Sequence, residues 1–227
     1  MGRFFDIDGP FLGGLTKMAD VFILNLLLIL CSLPIFTFGA AYTALYYVTL
    51  KMVKDEECYI AKAFFKSFKQ NFKQATIIWL IVLAIGTVIY VDFKVINGGY
   101  AGLVMPQGIA KVMYIIVMAS LILFSFTSSY VFPLLARFDN SVKNTLKNAM
   151  FMSIRHFPST ILIIIINVLP FVVMYFVPKA LILVFFVFGL CAYCNSSFFV
   201  KIFKLYTPEE KITSDEEFEV NVNDNKL

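Results

Sequence analysis

Polar residues are spaced along this chain in a way that divides it into long apolar runs. Five windows are apolar enough to cross a bilayer, at about residues 21–50, 75–91, 112–132, 160–177 and 180–200. A helix needs about 20 apolar residues for such a crossing, because its backbone groups must all be satisfied internally in hydrocarbon. The first window is too long for one straight crossing, and Pro34 interrupts it. Division at that point leaves pieces of about 13 residues, short of a span. A single tilted or kinked helix is therefore expected, with a hairpin folded at Pro34 as the other arrangement.

Two connecting segments carry a helical period of their own. In residues 60–73, Phe64, Phe65, Phe68 and Phe72 share an arc with Ile60 and Ala61, and Lys62, Lys66, Lys69 and Lys73 gather opposite. At 100° per residue the apolar arc is roughly 140° wide and the lysine edge about 60°. The pattern predicts an interfacial helix with rings at the acyl boundary and ammonium groups toward anionic headgroups. A weaker copy follows Asp139, with Val142, Leu146, Ala149, Met150, Ser153 and Phe157 on one face. Asp139 or Ser141 is its candidate N-cap, and Pro158 is expected to close it.

Placing residue 46 over residue 130 brings out an echo: Tyr46/Tyr130, Leu50/Leu134, Asp55/Asp139, Thr76/Thr160, Ile77/Ile161 and Ile81/Ile165 coincide. Together with the shared order of span, basic helix and span, this points to a parallel repeat with the last span added.

Composition agrees with a membrane solvent: 227 residues, 60% hydrophobic and 15% charged, with mean hydropathy +0.83. The soluble average is roughly 45–50% apolar and about 25% charged. Soluble enzymes, disulfide-stapled modules and disordered chains are excluded as classes, and no retained signal peptide is read at the N-terminus. Phe4, Phe5, Pro10, Phe11 and Leu12 read as an interfacial segment before the first span. The C-x-x-C of Cys191 and Cys194 sits inside an apolar run and reads as packing.

Charge sets the expected orientation. Of the 19 Lys and Arg, fourteen fall on one side of a five-span layout. That excess marks the cytoplasmic side, so the N-terminus is expected outside and the C-terminus cytoplasmic. The expected organisation is an integral membrane domain over residues 1–205 and an acidic, disordered cytoplasmic tail over 206–227. The fold class is all-α, a polytopic transmembrane bundle of five spans with two amphipathic interfacial linker helices.

No ionisable residue lies at the middle of any span, which argues against a carboxylate-driven pump. The candidate intramembrane polar and kink residues are Asn25, Pro34, Thr37 and Gly39. They suit either a solute path or hydrogen bonds between helices. Lys62, Phe64, Phe65, Lys66, Phe68, Lys69, Phe72 and Lys73 form the candidate partner- or lipid-contact surface. Known catalytic motifs are missing and the single His156 has no partner set, so no enzyme, metal or cofactor is expected.

Several of these stretches together resemble the YesL-like family of bacterial integral membrane proteins, a domain family of unknown function. The resemblance rests on Leu24-Asn25-Leu26-Leu27, on residues 32–41, and on Ala44-Leu45-Tyr46. It continues over residues 64–79 and 130–138, and covers about residues 1–205. It implies a bacterial cell-membrane protein with an accessory or scaffold role beside carbohydrate uptake or sensing. An ABC transporter permease or a sensor kinase is then the implied partner, with no nucleic acid involved. The alternative is a small-solute transporter or channel.

Overall fold

The structure, a computed structural model, describes residues 10–56, 58–97, 106–176 and 184–207. Phe4 and Phe5, Gly98 and Gly99, and the acidic segment from Pro208 onward lie outside the described residues. Seven α-helices and no strand occur among those described: α1 Pro10–Cys31, α2 Phe38–Val53, α3 Ile60–Ile96, α4 Gln107–Arg137, α5 Val142–Arg155, α6 Phe157–Phe176 and α7 Val184–Lys204. Five of them (α1 from Gly14, α3, α4 from Gly108, α6, and α7 from Phe186) are long and apolar enough to cross a membrane. The protein is thus an all-α, multi-pass bundle.

The first window is not one tilted helix. Proline disfavours helical geometry in the residue before it, so α1 stops at Cys31, ahead of Ser32-Leu33-Pro34. A 3₁₀ turn over Ile35–Thr37 follows, and α2 starts at Phe38. Thr37 fastens the corner, its hydroxyl donating to the carbonyls of Cys31 at 2.6 Å and Pro34 at 2.7 Å. The two helices run back antiparallel, because Lys17 near the start of α1 meets Asp55 just past α2 at 2.8 Å. Along one unbroken helix those residues would stand about 57 Å apart.

The length rule failed here for a physical reason. It applies to helices that face lipid, whereas α2 faces protein on every side. Ala40, Ala41, Ala44, Leu45 and Val48 are fully buried, and Tyr46 is 1% exposed. A helix apolar all round and enclosed by neighbours is a core helix.

The antiparallel pair also moves the start of α1. Lys17 lies at the same end of the bundle as the linker after α2, and the His156–Tyr206 contact at 3.1 Å brings the end of α7 to the start of α6. The start of α1 therefore shares an end with the basic linkers, against the expectation that they oppose each other. A Lys17→Cys/Asp55→Cys pair, with the four native cysteines replaced by Ser, should be joined by a short bifunctional thiol reagent. Failure to join, with both thiols reactive singly, would contradict the hairpin.

The basic segment at 60–73 is not a separate helix lying in the interface. It is the first part of α3, which runs 37 residues without interruption. The second copy does break: α5 ends at Arg155 and α6 begins at Phe157, with Pro158 in its first turn. Proline is favoured in the first turn of a helix and costly further along it, so Pro158 opens α6 rather than merely closing α5. The residue matching it in the first copy is Gln74, which lets α3 continue. Ser141 is the N-cap of α5, its hydroxyl accepting from the Asn144 N–H at 3.4 Å.

Four of the six pairs of the repeat reading share their burial, whereas Thr76/Thr160 and Ile81/Ile165 differ. Tyr46 and Tyr130 are both buried, as are Leu50 and Leu134, while Ile77 and Ile161 are 40% and 39% exposed. Both tyrosine rings stand edge-on to one residue of α7, Phe199, at 5.8 and 5.0 Å between centroids. α7, packed against α1, α2 and α6, thus carries one ring on which a tyrosine from each copy leans.

Candidate functional site

The stripe of α3 that packs inward is set by helical spacing: Phe64, Ser67, Ala75 and Ile78 are fully buried. Phe64 accordingly contacts the bundle rather than lipid, contrary to the expectation that all four rings face outward. Phe68 is half-buried, stacked with Phe64 at 6.3 Å and edge-on to Phe72 at 5.5 Å. Phe65 and Phe72 remain on the surface, 42% and 36% exposed. Lys62, Lys66, Lys69 and Lys73 are all exposed. None of the four has an ion-pair partner among the described residues. The surface is therefore four free ammonium groups and two rings on a rigid rod continuous with a membrane helix. Lysines recurring every turn do not tolerate hydrocarbon, so the crossing part of α3 begins near Ala75.

The intramembrane candidates are fasteners. Asn25 is buried on α1 and accepts the Gly189 N–H of α7 at 2.9 Å. Gly189 lets the helices approach, since a Cβ there would stand 2.8 Å from the Val21 carbonyl oxygen. Gly39 does the same between α2 and α3, beside the Ala75 carbonyl and Trp79. Pro34 and Thr37 form the α1–α2 corner described above, against which Trp79 donates its indole N–H to the Ile35 carbonyl at 2.8 Å. These four residues are not brought together around one space.

Other polar groups are brought together. Asn195 on α7 donates to the Asn167 amide oxygen on α6 at 2.9 Å, and its own oxygen is buried without a hydrogen-bond partner among the described residues. Thr49 and Ser196 hydroxyls meet at 2.8 Å between α2 and α7. A cavity of about 540 Å³ reaches Asn167, with Tyr42, Trp79, Thr87 and Ser128 on its walls. A second, of about 550 Å³, lies between α3 and α4 and is almost wholly aliphatic apart from Asp92, Ser120, Thr127 and Ser128. Sequence reading named several of these groups singly. Their grouping depends on helix order, which periodicity does not encode.

Desolvation pushes the Cys58 thiol above its usual value, outweighing the nearby Lys51, so it is not an activated thiolate. Partial burial, with the Arg155 charge beside it, lowers His156 below its ordinary value.

A protein-family profile described as "Protein of unknown function, DUF624" matches residues 21–93, from α1 through α2 to near the end of α3. Over 182 residues the chain is 24% identical to a Bacillus subtilis (strain 168) protein described as "Uncharacterized protein YteU", covering 80% of this chain and 78% of that one. No solved structure matches. The matched profile spans the α1–α2 corner, Gly39 and the basic half of α3, the same stretches that carried most of the likeness noted above. Residues 21–93 are thus similar to a family of unknown function, in keeping with the resemblance of the chain to the YesL-like family.

Proposed function

We propose that this is a non-enzymatic protein of the bacterial cell membrane that docks a partner through the basic half of α3. The observation that carries the reading is the set of exposed Lys62, Lys66, Lys69 and Lys73, without ion-pair partners among the described residues, on a helix continuous with an apolar segment long enough to span a membrane. A free connector needs no such rigidity, and four like charges held on one edge cost solvation entropy and mutual repulsion unless something anionic meets them. The excess of Lys and Arg supports a cytoplasmic position for that end of the bundle, and with it for the start of α1 and the end of α7. The partner class, a permease or sensor of a carbohydrate system, rests on the family resemblance alone.

The cavity beside Asn167 favours the second reading, a small-solute transporter or channel. Against it stands the engagement of Asn25 and Thr37 in structural hydrogen bonds and the close packing at Gly39.

Replacing all four lysines by glutamine tests the docking reading. Cross-linking in native membranes should recover a stable partner with the unchanged chain, and about tenfold less of it with the variant. Ion pairs at exposed sites contribute under 1 kcal/mol each, and 1.4 kcal/mol is a factor of ten. Equal recovery from both, or no partner from either, overturns the reading.

A further inference from the structure

Lys51 and Lys54 at the end of α2, Arg137 at the end of α4 and Lys204 at the end of α7 surround one small cavity of about 130 Å³. Its floor is apolar, made by Leu50, Ala136, Val200 and Phe203. At about 30 Å³ per water in the liquid, the space holds roughly four waters, or one tetrahedral oxyanion with some solvent.

The plain explanation for the four cations is that they complement the negative ends of three helices. Charge magnitudes limit it. Each C-terminus is equivalent to about half a negative charge, so the three account for roughly one and a half of the four positive charges. Glu56 accounts for one more, its carboxylate bridging Lys51 at 3.6 Å and Lys54 at 3.5 Å. Among the described residues a surplus of positive charge remains. Arg137 and Lys204, both exposed, have no ion-pair partner among the described residues. The rim is also partly fixed in place: Lys51 lies over the Tyr47 ring at 5.3 Å, and Glu56 ties the two α2 lysines to each other.

We propose that this cup binds a phosphate group. A guanidinium opposite ammonium groups suits a tetrahedral oxyanion, which accepts a bidentate pair from Arg137 and single charged bonds from the lysines. The apolar floor suits a phosphate carried on an organic body. The group reaches the cup as an anionic lipid headgroup or as a soluble phosphate, and both are recognised by the same chemistry. None of the docking lysines of α3 lines the cup, so this site stands or falls apart from the docking reading.

The full chain in an uncharged detergent, unfolded thermally with inorganic phosphate or with chloride at matched ionic strength, provides the first arm. Nanodiscs of phosphatidylcholine alone, or with phosphatidylglycerol, provide the second. The unfolding midpoint should rise with phosphate or with phosphatidylglycerol beyond its control. The apparent affinity should fall about tenfold in Arg137→Gln and again in Lys204→Gln, two exposed positions whose replacement leaves the core intact. A response confined to the nanodiscs assigns the headgroup, and a response to inorganic phosphate assigns a soluble ligand. No response beyond the controls in the unchanged protein, or one equally strong in both variants, overturns the proposal.

Discussion

Gly39→Val should leave no folded protein in detergent, whereas Gly14→Ala should be tolerated. A Cβ on Gly39 would stand 2.6 Å from the Ala75 carbonyl oxygen, 2.6 Å from the Trp79 Cβ and 3.2 Å from the Phe132 ring. Two of those three atoms belong to helix backbone or its first side-chain atom, so no rotamer change relieves them. α2 or α3 must move bodily, and α2 is enclosed by α1, α3, α4 and α7. Overpacking of a tight core costs about 1–3 kcal/mol even where side chains yield, and more where backbone must shift. Gly39→Ala already meets the clash, and Val adds two methyl groups to it. Gly14 has open space around its Cβ direction, so Ala there gains up to about 1 kcal/mol of helix propensity. Size-exclusion profiles and reversible unfolding of the three variants decide the matter. A Gly39→Val protein with an unchanged profile would mean that α2 and α3 are not in this contact.

Hydropathy found the five helices long and apolar enough to cross because the bilayer imposes one strong rule, internal satisfaction of the backbone over a fixed length; the shorter α2, which runs back beside α1, was merged with it in the first window. The same rule misplaced the α1–α2 corner. It tests whether a segment is long enough for lipid, and α2 meets almost none. Pro34 was visible as the breaking point, and the evidence for a reversal, Lys17 against Asp55, needed the fold. Residues 60–73 are helical as their period indicated, but the buried stripe of α3 runs through Phe64, Ser67, Ala75 and Ile78, while Phe65 and Phe72 of the expected apolar arc stay exposed. What periodicity leaves open is the neighbour on that stripe, here α2 rather than acyl chains. Helix continuity turned on one residue, with Pro158 dividing the second copy and Gln74 leaving the first intact. The cup of Lys51, Lys54, Arg137 and Lys204 was not legible at all. Each cation looked like an ordinary end-of-helix charge, and only the parallel alignment of α2, α4 and α7 gathers them.

Phe199 of α7 meets rings of both α2 and α4, and Phe199→Ala is expected to lower stability by about 3 kcal/mol or more. The ring is fully buried, edge-on to Tyr46 and Tyr130 at interplanar angles of 87° and 88°, and stacked on Phe203 at 5.5 Å. Lipid tails are as apolar as the ring, so burial from water contributes little between membrane helices. The loss is mainly packing: a void has no atoms to attract its lining. Phe199→Leu, which refills part of the volume, should cost less than half as much. The tyrosines separate the two copies of the repeat. The Tyr130 hydroxyl meets Thr160 Oγ1 at 2.9 Å, and Thr160 in turn donates to the Ser153 carbonyl at 2.7 Å. The Tyr46 hydroxyl has only a 3.5 Å contact from Asn195 and another with Tyr42. Tyr130→Phe should therefore cost about 1 kcal/mol and Tyr46→Phe a few tenths. Denaturant titration in mixed micelles measures all four variants on one scale. If Phe199→Ala costs no more than Tyr130→Phe, Phe199 is not the ring on which both tyrosines lean.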